Sequence, residues 1–113
     1  MEAGYQVEQG TLRILVPQEL DHHVAEKIRM ESEMIIEQRQ IRQVDFDFSQ
    51  TQFMDSSGIG VIIGRVKRMR QKQGRVMATH VSGQVYRILR MAGLTEVIFI
   101  SRQEEESCRE GSR

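Results

Sequence analysis

The fold follows from the stretch QVDFDFSQTQFMDSSGIGVIIGRVKRMRQKQGRVMATHV, residues 43–81. At its start, from Gln43 to Ser49, apolar and polar residues alternate, and this period of two predicts a β-strand. From Ser57 to Lys72 the apolar residues recur at helical spacing, which predicts an amphipathic helix, and Arg75 to Val81 is a second predicted strand. This order predicts two parallel strands joined by a right-handed helical crossover.

The alternation of strands and helices continues upstream of this unit. Tyr5 to Glu8 and Thr11 to Val16 are predicted strands, and a turn is predicted between them at Gln9-Gly10. Asp21 can accept hydrogen bonds from the first free amides of a predicted helix at about His22 to Gln40.

The pattern continues downstream in the same way. Ser82 is the predicted cap of a third helix, and Gly93 is its predicted stop. Glu96 to Ile100 is a short, largely apolar run that predicts a buried parallel strand. The sequence thus predicts the α/β class: a single domain over residues 1–113 with a small, mostly parallel sheet, helices packed against it and an antiparallel strand at its N-terminal edge.

Helical spacing also predicts which side chains of the helices are buried. The predicted apolar positions are Val24, Ile28 and Ile35 in the first helix, Ile59, Ile62, Ile63, Val66 and Met69 in the second, and Val85, Ile88, Leu89 and Ala92 in the third. Gly74 is the predicted end of the second helix.

Length and composition are typical of one small globular domain. The chain has 113 residues, of which 39% are hydrophobic and 28% charged, so a disordered chain is not expected. No stretch approaches the roughly 18 apolar residues of a membrane span, and Met1 to Gly10 lacks the apolar core of a signal peptide. The single cysteine, Cys108, precludes an internal disulfide, so we expect a cytoplasmic protein.

The last residues, 102–113, contain almost no apolar side chain. Ser101 and Glu104 have the spacing of a helix capping box, so a short helix is predicted to begin there. Because that helix would have nothing to bury, we expect residues 102–113 to face solvent or fray.

The formal net charge is zero, but the charges are unevenly divided. Residues 1–64 carry 5 basic and 11 acidic side chains, and residues 65–113 carry 11 basic and 5 acidic ones. This polarity either steers a charged protein partner or only balances the two halves of one surface. The basic run is interpreted as the solvated face of the second helix, since no aromatic residue offers a platform for bases; it comprises Arg65, Lys67, Arg68, Arg70, Lys72 and Arg75.

The most informative residues are Asp55, Ser56, Ser57, Gly58 and Gly60, which lie where a predicted strand leads into a helix. In a parallel α/β sheet, functional sites collect at this carboxyl edge. The free amides of a helix N-terminus favour negative charge, including a phosphate on either serine. The two glycines would let the backbone of another protein approach closely. A purely local interpretation also stands, in which Asp55 or a serine caps the helix and the glycines allow tight packing.

Enzyme motifs fit these residues poorly. The glycines do not form a dinucleotide-binding fingerprint, because Ile63 stands where its last glycine belongs. A nucleophile elbow needs glycines on both sides of Ser56, but Met54 stands on one side. The adjacent His22 and His23 lack the spacing of a metal site. The sequence therefore predicts no cofactor and no metal ion, and an enzyme is the weakest alternative.

Three segments of the chain resemble the STAS-domain anti-sigma factor antagonists, and most of all those of sporulation. These segments are Leu20-Asp21-His22-His23-Val24-Ala25-Glu26, Phe53-Met54-Asp55-Ser56-Ser57-Gly58-Ile59-Gly60-Val61-Ile62-Ile63-Gly64-Arg65 and Met91-Ala92-Gly93-Leu94. The resemblance covers roughly residues 5–100 and implies the STAS-type α/β fold. The family has a further C-terminal helix that docks through apolar residues, which Gln103 to Arg113 does not provide.

The resemblance implies a phosphorylation switch that is not itself an enzyme. Ser56, the first serine of the Asp-Ser-Ser motif, is the implied phosphoacceptor. The implied donor is the anti-sigma factor, a serine protein kinase that uses ATP. The unphosphorylated antagonist binds this kinase and releases the sigma factor, and a metal-dependent serine phosphatase resets the phosphorylated form. The resemblance implies no direct contact with nucleic acid or with a membrane.

Around Ser56 we expect a surface that binds the partner protein. Its expected members are Asp21, His22, Asp55, Ser57, Gly58 and Gly60. Asp21 should lie at the same edge of the sheet as Ser56, where it either contacts the partner or only caps the first helix. Ser56 should project from the loop, and Ser57 should turn inward to cap the second helix.

Two alternatives remain open on the sequence. In the first, the chain is a STAS domain that binds a nucleotide or another anion at the same helix N-terminus. In the second, it is an antagonist that serves a stress-response pathway and not sporulation. The sequence does not identify the sigma factor.

Overall fold

The computed structural model describes residues 2–103. Strands and helices alternate along these residues, in the predicted order, with two very short strands added. The elements are β1 (Gly4–Glu8), β2 (Thr11–Leu15), β3 (Glu19–Leu20), α1 (His22–Gln38), β4 (Gln43–Asp47), β5 (Phe53–Met54), α2 (Ser56–Gln71), β6 (Arg75–Val81), α3 (Gly83–Met91), a 3-10 helix (Leu94–Glu96) and β7 (Phe99–Arg102).

The main sheet has five strands in the order β1-β2-β4-β6-β7. β1 is antiparallel to β2 and forms one edge, and all other neighbours are parallel, which confirms the predicted class and the antiparallel N-terminal edge. The turn between β1 and β2 has positive φ at Gln9 (52°) and Gly10 (81°), as a tight hairpin turn requires.

The helices lie on one face of this sheet. The strands β2, β4, β6 and β7 follow each other in one direction across the sheet, and right-handed crossovers in one direction put their helices on the same side. The register aligns Ile14, Phe46 and Ala78 on that covered face, and these side chains are fully buried in the apolar core.

The opposite face of the sheet carries a polar network. The Arg13 guanidinium lies 3.1 Å from an Asp47 carboxylate oxygen and 3.7 Å from an Asp45 oxygen, and the Thr79 hydroxyl donates to Asp45 at 2.8 Å. Burial raises the pKa of Asp45 above its ordinary value. Burial acts in the same direction on Asp47, but hydrogen bonds from Ser49 outweigh it, and the pKa of Asp47 lies below its ordinary value.

The parallel strand predicted at Glu96 to Ile100 is present, but its predicted bounds and its predicted burial are wrong. Leu94 to Glu96 forms a 3-10 helix, and the strand runs from Phe99 to Arg102. Within residues 2–103 this strand is the far edge of the sheet, with a neighbour only on one side, and 59% of the Phe99 surface is exposed. An apolar run of this length does not distinguish a central strand from an edge strand.

The predicted tail also begins too early. Ser101 and Arg102 belong to β7, so Ser101 does not cap a helix. Gln103 continues the strand's pairing through a hydrogen bond from its amide to the Val81 carbonyl oxygen at 2.9 Å. The rest of the predicted tail, residues 104–113 with Cys108, lies outside the described residues.

Helical spacing predicted the buried face of each helix only approximately. In α2, Ile62, Val66 and Met69 are buried as predicted, but Ile63 is exposed and Val61 is buried instead. In the other two helices, Val24, Ile35 and Ile88 are only partly buried, and Ala92 is exposed.

The prediction that Arg65 lies on the solvated face is wrong. Its side chain is 8% exposed and donates to a Glu33 carboxylate oxygen at 2.8 Å and to the Ser32 hydroxyl oxygen at 3.3 Å, both on α1. Arg68 donates to the other oxygen of Glu33 at 2.8 Å. An acidic partner across the helix interface therefore lets Arg65 be buried.

The residue with the left-handed conformation at the end of α2 also differs from the prediction. Gln73, and not Gly74, adopts the left-handed conformation, with φ of 62°. Gly74 is needed for space, because a Cβ there would lie 2.4 Å from the Arg42 carbonyl oxygen.

Candidate functional site

Two short parallel strands bring the N-termini of α1 and α2 together. β3 pairs with β5 so that Leu20 lies beside Met54, and the Asp55 amide donates to the Leu20 carbonyl oxygen at 3.2 Å. Asp21 and Asp55 each follow one of these strands and precede one of the helices. The two aspartates are therefore equivalent positions in two β-strand–Asp–helix units, which we call the twin units: residues 19–22 and residues 53–56.

The two aspartates cap their helices with nearly the same backbone conformation. Asp21 has φ −98° and ψ −173°, and its carboxylate accepts from the Val24 amide at 3.0 Å. Asp55 has φ −101° and ψ −171°, and its carboxylate accepts from the amides of Ser57 at 2.8 Å and Gly58 at 3.4 Å. Capping by Asp21 is confirmed. The prediction that Ser57 caps α2 is wrong, because Asp55 occupies that position and the helix begins at Ser56.

The two serines that follow Asp55 differ in their surroundings. Ser56 is the first residue of α2 and is exposed, and its hydroxyl has no hydrogen-bond partner among residues 2–103. Ser57 is half-buried, and its Oγ lies 3.4 Å from Nδ1 of His22 on α1. The structure thus leaves the Ser56 hydroxyl open to another molecule and turns that of Ser57 toward α1.

The two glycines of the site also differ. Gly58 is buried, and a Cβ there would lie 2.6 Å from Met54 Cγ and 2.9 Å from Leu20 Cγ. The close approach at Gly58 is therefore to its own chain, which corrects the expectation that a partner's backbone approaches there. Gly60 is exposed, and a Cβ there would meet no atom within 4 Å, so Gly60 does lie on the accessible surface.

A shallow depression of about 210 Å³ lies between α1 and α2 beside Ser57. His22 and Glu26 line it on the α1 side, and Gly60 lines it on the α2 side. The one arginine in its lining, Arg29, is paired with Glu26 on the same helix. The surface around Ser56 is thus formed by two capping carboxylates and a neutralised ion pair, without a free cation among these groups.

The described residues contain neither a cluster of metal ligands nor a helix that could span a membrane. Across residues 2–103, no three His, Cys, Asp or Glu side chains are placed to hold a metal ion. In that same part of the chain, every helix is too short or too polar to cross a bilayer. Nδ1 of His80, in β6, lies 3.3 Å from an Asp47 carboxylate oxygen.

Known proteins with similar sequences and structures were compared with the chain. The family model described as the STAS domain matches residues 4–107. An anti-sigma F factor antagonist of Paenibacillus polymyxa is 39% identical over 95 residues, which are 84% of this chain and 81% of that protein. An anti-sigma-B factor antagonist of Listeria monocytogenes is 29% identical over 93 residues, which are 82% of this chain and 81% of that protein.

The solved structures that resemble the chain include two forms of the anti-sigma factor antagonist SpoIIAA. The unphosphorylated form has a TM-score of 0.75 and 26% identity, with 94% of this chain and 93% of that chain covered. The phosphorylated form, from Bacillus, has a TM-score of 0.72 and 29% identity, with 95% and 97% covered.

Proposed function

The chain belongs to the STAS domain family, and from this premise we propose that it is an anti-sigma factor antagonist switched by phosphorylation of Ser56. In its unphosphorylated form it binds an anti-sigma factor, which thereby releases its sigma factor. The anti-sigma factor is a serine protein kinase that uses ATP, and it phosphorylates Ser56 to end the complex. A metal-dependent serine phosphatase restores the unphosphorylated form. The chain itself is the substrate of both enzymes and not a catalyst.

The observation that carries this proposal is the free hydroxyl of Ser56 at the first position of α2. A kinase needs a hydroxyl that it can reach, and Ser56 is exposed whereas Ser57 is half-buried against His22. The structural task of this loop, capping α2, is done by Asp55. Ser56 is thus available for chemistry without any loss to the fold.

The charge of the surrounding surface explains why a phosphate would weaken the complex. Phosphorylation adds about −1.5 to −2 charges, and the added group would stand directly beside Asp55, near the second capping carboxylate, Asp21. The dipole of α2 offsets part of this repulsion inside the protein. It does not offset the bulk and charge that a docked partner would meet, so the partner surface formed by Asp21, His22, Asp55, Ser57 and Gly60 loses affinity. Gly58 contributes only by letting α2 pack on β3 and β5.

The alternative of nucleotide or anion binding at the same helix N-terminus is less well supported. The α2 amides that would hold an anion, those of Ser57 and Gly58, already donate to Asp55. The carboxylate of Asp21 stands at the neighbouring helix N-terminus. An incoming anion would therefore compete with one carboxylate and be repelled by a second.

The pathway is proposed to be sporulation. The Paenibacillus antagonist of the anti-sigma F factor is 39% identical to this chain, against 29% for the Listeria antagonist of the anti-sigma-B factor. Since a sigma factor acts on RNA polymerase, the proposed role carries with it the cytoplasmic location expected from the sequence.

The decisive experiment is a pull-down from native cells with three baits: wild type, Ser56→Asp and Gln6→Glu. Gln6→Glu is the matched control, because it adds one negative charge at an exposed position of the edge strand β1. Wild type and Gln6→Glu should retain an ATP-binding serine kinase, and Ser56→Asp should lose it. Equal retention by all three baits would contradict the switch, and saturable ATP binding by the isolated wild-type chain would favour the anion-binding alternative.

A further inference from the structure

A basic groove lies at the end of the molecule opposite Ser56. Both α1 and α2 begin at the carboxyl edge of the sheet and end at its amino edge, and the groove of about 550 Å³ lies between their C-terminal ends and the connection to β4. The charged side chains of its lining are Glu37, Arg39, Arg42, Arg68 and Lys72.

The charges of this groove are not balanced within the described residues. Arg68 shares the single carboxylate of Glu33 with Arg65, so that carboxylate offsets only part of the charge of the two arginines. None of the ion pairs formed within residues 2–103 includes Arg39, Arg42 or Lys72. These three cations face one carboxylate of the lining, Glu37, so the groove has an excess of positive charge.

The favourable interaction of cations with helix C-termini does not account for all the cations of the groove. A cation in the last turn of a helix contributes about 0.3–1 kcal/mol by its interaction with the helix dipole, which explains Arg68 and Lys72. Arg42 lies outside any helix and is exposed. Nothing in the local fold requires a cation at that position.

The backbone of Arg42 is held firmly from three sides. Its amide donates to the Gly10 carbonyl oxygen at 2.7 Å, and its own carbonyl oxygen accepts from the Arg75 amide at 3.0 Å. Gly74 lies so close that a Cβ there would be 2.4 Å from the same carbonyl oxygen. The guanidinium of Arg42 therefore extends from a rigid base, which lowers the cost of ordering it around a ligand.

We propose that this groove binds an acidic segment of a partner protein, one that carries several carboxylates. The excess of cations favours an anionic ligand, and the volume exceeds what a single phosphate fills. Glu37 in the lining would repel a nucleic acid backbone, and no aromatic side chain among the lining residues offers a base a stacking surface. A protein segment can place carboxylates beside Arg39, Arg42 and Lys72 and a cation beside Glu37.

The acidic segment belongs to another molecule and not to the same chain. The sequence does contain such a run, Glu104-Glu105-Glu106, but it follows Gln103, which pairs with Val81 at the carboxyl edge. Three residues extend at most about 10 Å, and a strand of the length of β4 alone spans about 17 Å. The groove lies at the other end of the strands, beyond the reach of this run.

The test uses the full chain and two labelled probes of equal length, a peptide of alternating Glu and Ser with one Lys and a single-stranded oligonucleotide, with fluorescence anisotropy as the readout. The double variant Arg39→Glu/Arg42→Glu removes the proposed contacts. The matched control, Arg87→Glu/Arg90→Glu, makes the same charge change at exposed positions of α3. We expect wild type and control to bind the acidic peptide, the groove variant to bind roughly tenfold more weakly, and added salt to weaken binding of the first two.

Amide shifts measured by NMR on the wild-type chain provide a readout that does not depend on any variant. The acidic peptide should shift the amides of residues 39–42 and 68–72 and leave residues 53–60 unchanged. The proposal is overturned if the acidic peptide does not bind, if both variants lose affinity equally, or if the shifts fall elsewhere. Tighter binding of the oligonucleotide at the same amides would overturn it in favour of a nucleic acid site. Because Ser56 takes no part in this assay, its outcome is separate from that of the proposed switch.

Discussion

The twin units, residues 19–22 and residues 53–56, have the same backbone and different surface chemistry. Each is a short strand, a capping aspartate and the start of a helix, and the φ and ψ angles of the two aspartates agree within 3° and 2°. After the aspartate, one unit continues with His22 and the other with Ser56. The aspartate is therefore a requirement of the fold in both units, and the residue after it is what distinguishes them.

The comparison separates structural from functional interpretation of the Asp-Ser-Ser-Gly motif. Asp55 and Gly58 are explained by capping and by close packing, just as Asp21 is explained by capping. Only the hydroxyl of Ser56 is left without a structural task within the described part of the chain. Each of the following predictions tests this division.

The largest effect is expected for Ser56→Ala in a phosphorylation assay with the purified kinase and ATP. Phosphate incorporation, measured by intact-mass spectrometry, should be lost completely, because the one free hydroxyl of the twin units is removed. Ser57→Ala is the control and should accept phosphate as wild type does. Phosphate mapped to Ser57 of the wild-type chain would show that exposure does not select the acceptor.

The next effect is on stability and concerns the two glycines of α2. Gly58→Ala should lower the free energy of unfolding by about 1–3 kcal/mol, because its Cβ would collide with Leu20 and Met54. Gly60→Ala places the same methyl group in open space and should raise stability by up to about 1 kcal/mol through helix propensity. Urea denaturation of both variants measures the difference. Equal midpoints would mean that Gly58 is not a packing residue.

Variants of the two capping aspartates separate an effect on stability from an effect on partner affinity. Asp55→Ala and Asp21→Ala should each cost about 0.5–2 kcal/mol of stability through the lost cap. Asp21→Asn keeps an acceptor and should stay within about 0.5 kcal/mol of wild type, yet bind the anti-sigma factor more weakly if Asp21 contributes to the partner surface. Calorimetric titration measures that affinity. Unchanged affinity would leave Asp21 with capping alone.

The smallest effect is expected on the fold itself when Ser56 is phosphorylated. The phosphate meets water and a helix N-terminus and not the packed core, so the melting temperature should change little. Amide shifts should be confined to Phe53–Gly60 and the neighbouring strand ends, while partner affinity falls strongly. Shifts that spread through Val44–Phe48 and Val97–Ile100 would mean that the phosphate rearranges the core, and a local switch would then be untenable.

Periodicity predicted the central strands and the three helices because each contains several turns or several alternations of one pattern, whereas the apolar run at Glu96 to Ile100 has no such period and its strand was predicted with the wrong bounds. β3 and β5 contain two residues each, which is too short to show a period of two. The pairing of Leu20 with Met54 was therefore missed, although it is the contact that brings the two capping aspartates together. Only the recurrence of an apolar residue followed by Asp at 20–21 and 54–55 hints at it.

Residue type gave wrong predictions of a side chain's surroundings where tertiary contacts decide them. The basic run predicts that Arg65 is solvated, but its side chain is buried because it pairs with Glu33, 32 positions away in the sequence. Gly58 was assigned to the partner surface because small residues permit close approach, but sequence does not reveal which chain approaches. Asp21, Asp55 and Ser82 were correctly predicted as possible caps, because capping depends only on residues within one turn of the helix.

The one-directional order of the strands has a consequence for how the chain is made. Thr11 pairs with Gln43, and Gln43 pairs with Arg75, so each of these partners comes 32 residues later in the chain. As the protein leaves the ribosome, every new parallel strand can add to an edge that has already been synthesised, and no strand must wait for a later one to be inserted between it and its neighbour. The sheet can therefore grow outward from the first hairpin, and β7, at its far edge, is the last of the described strands to be translated.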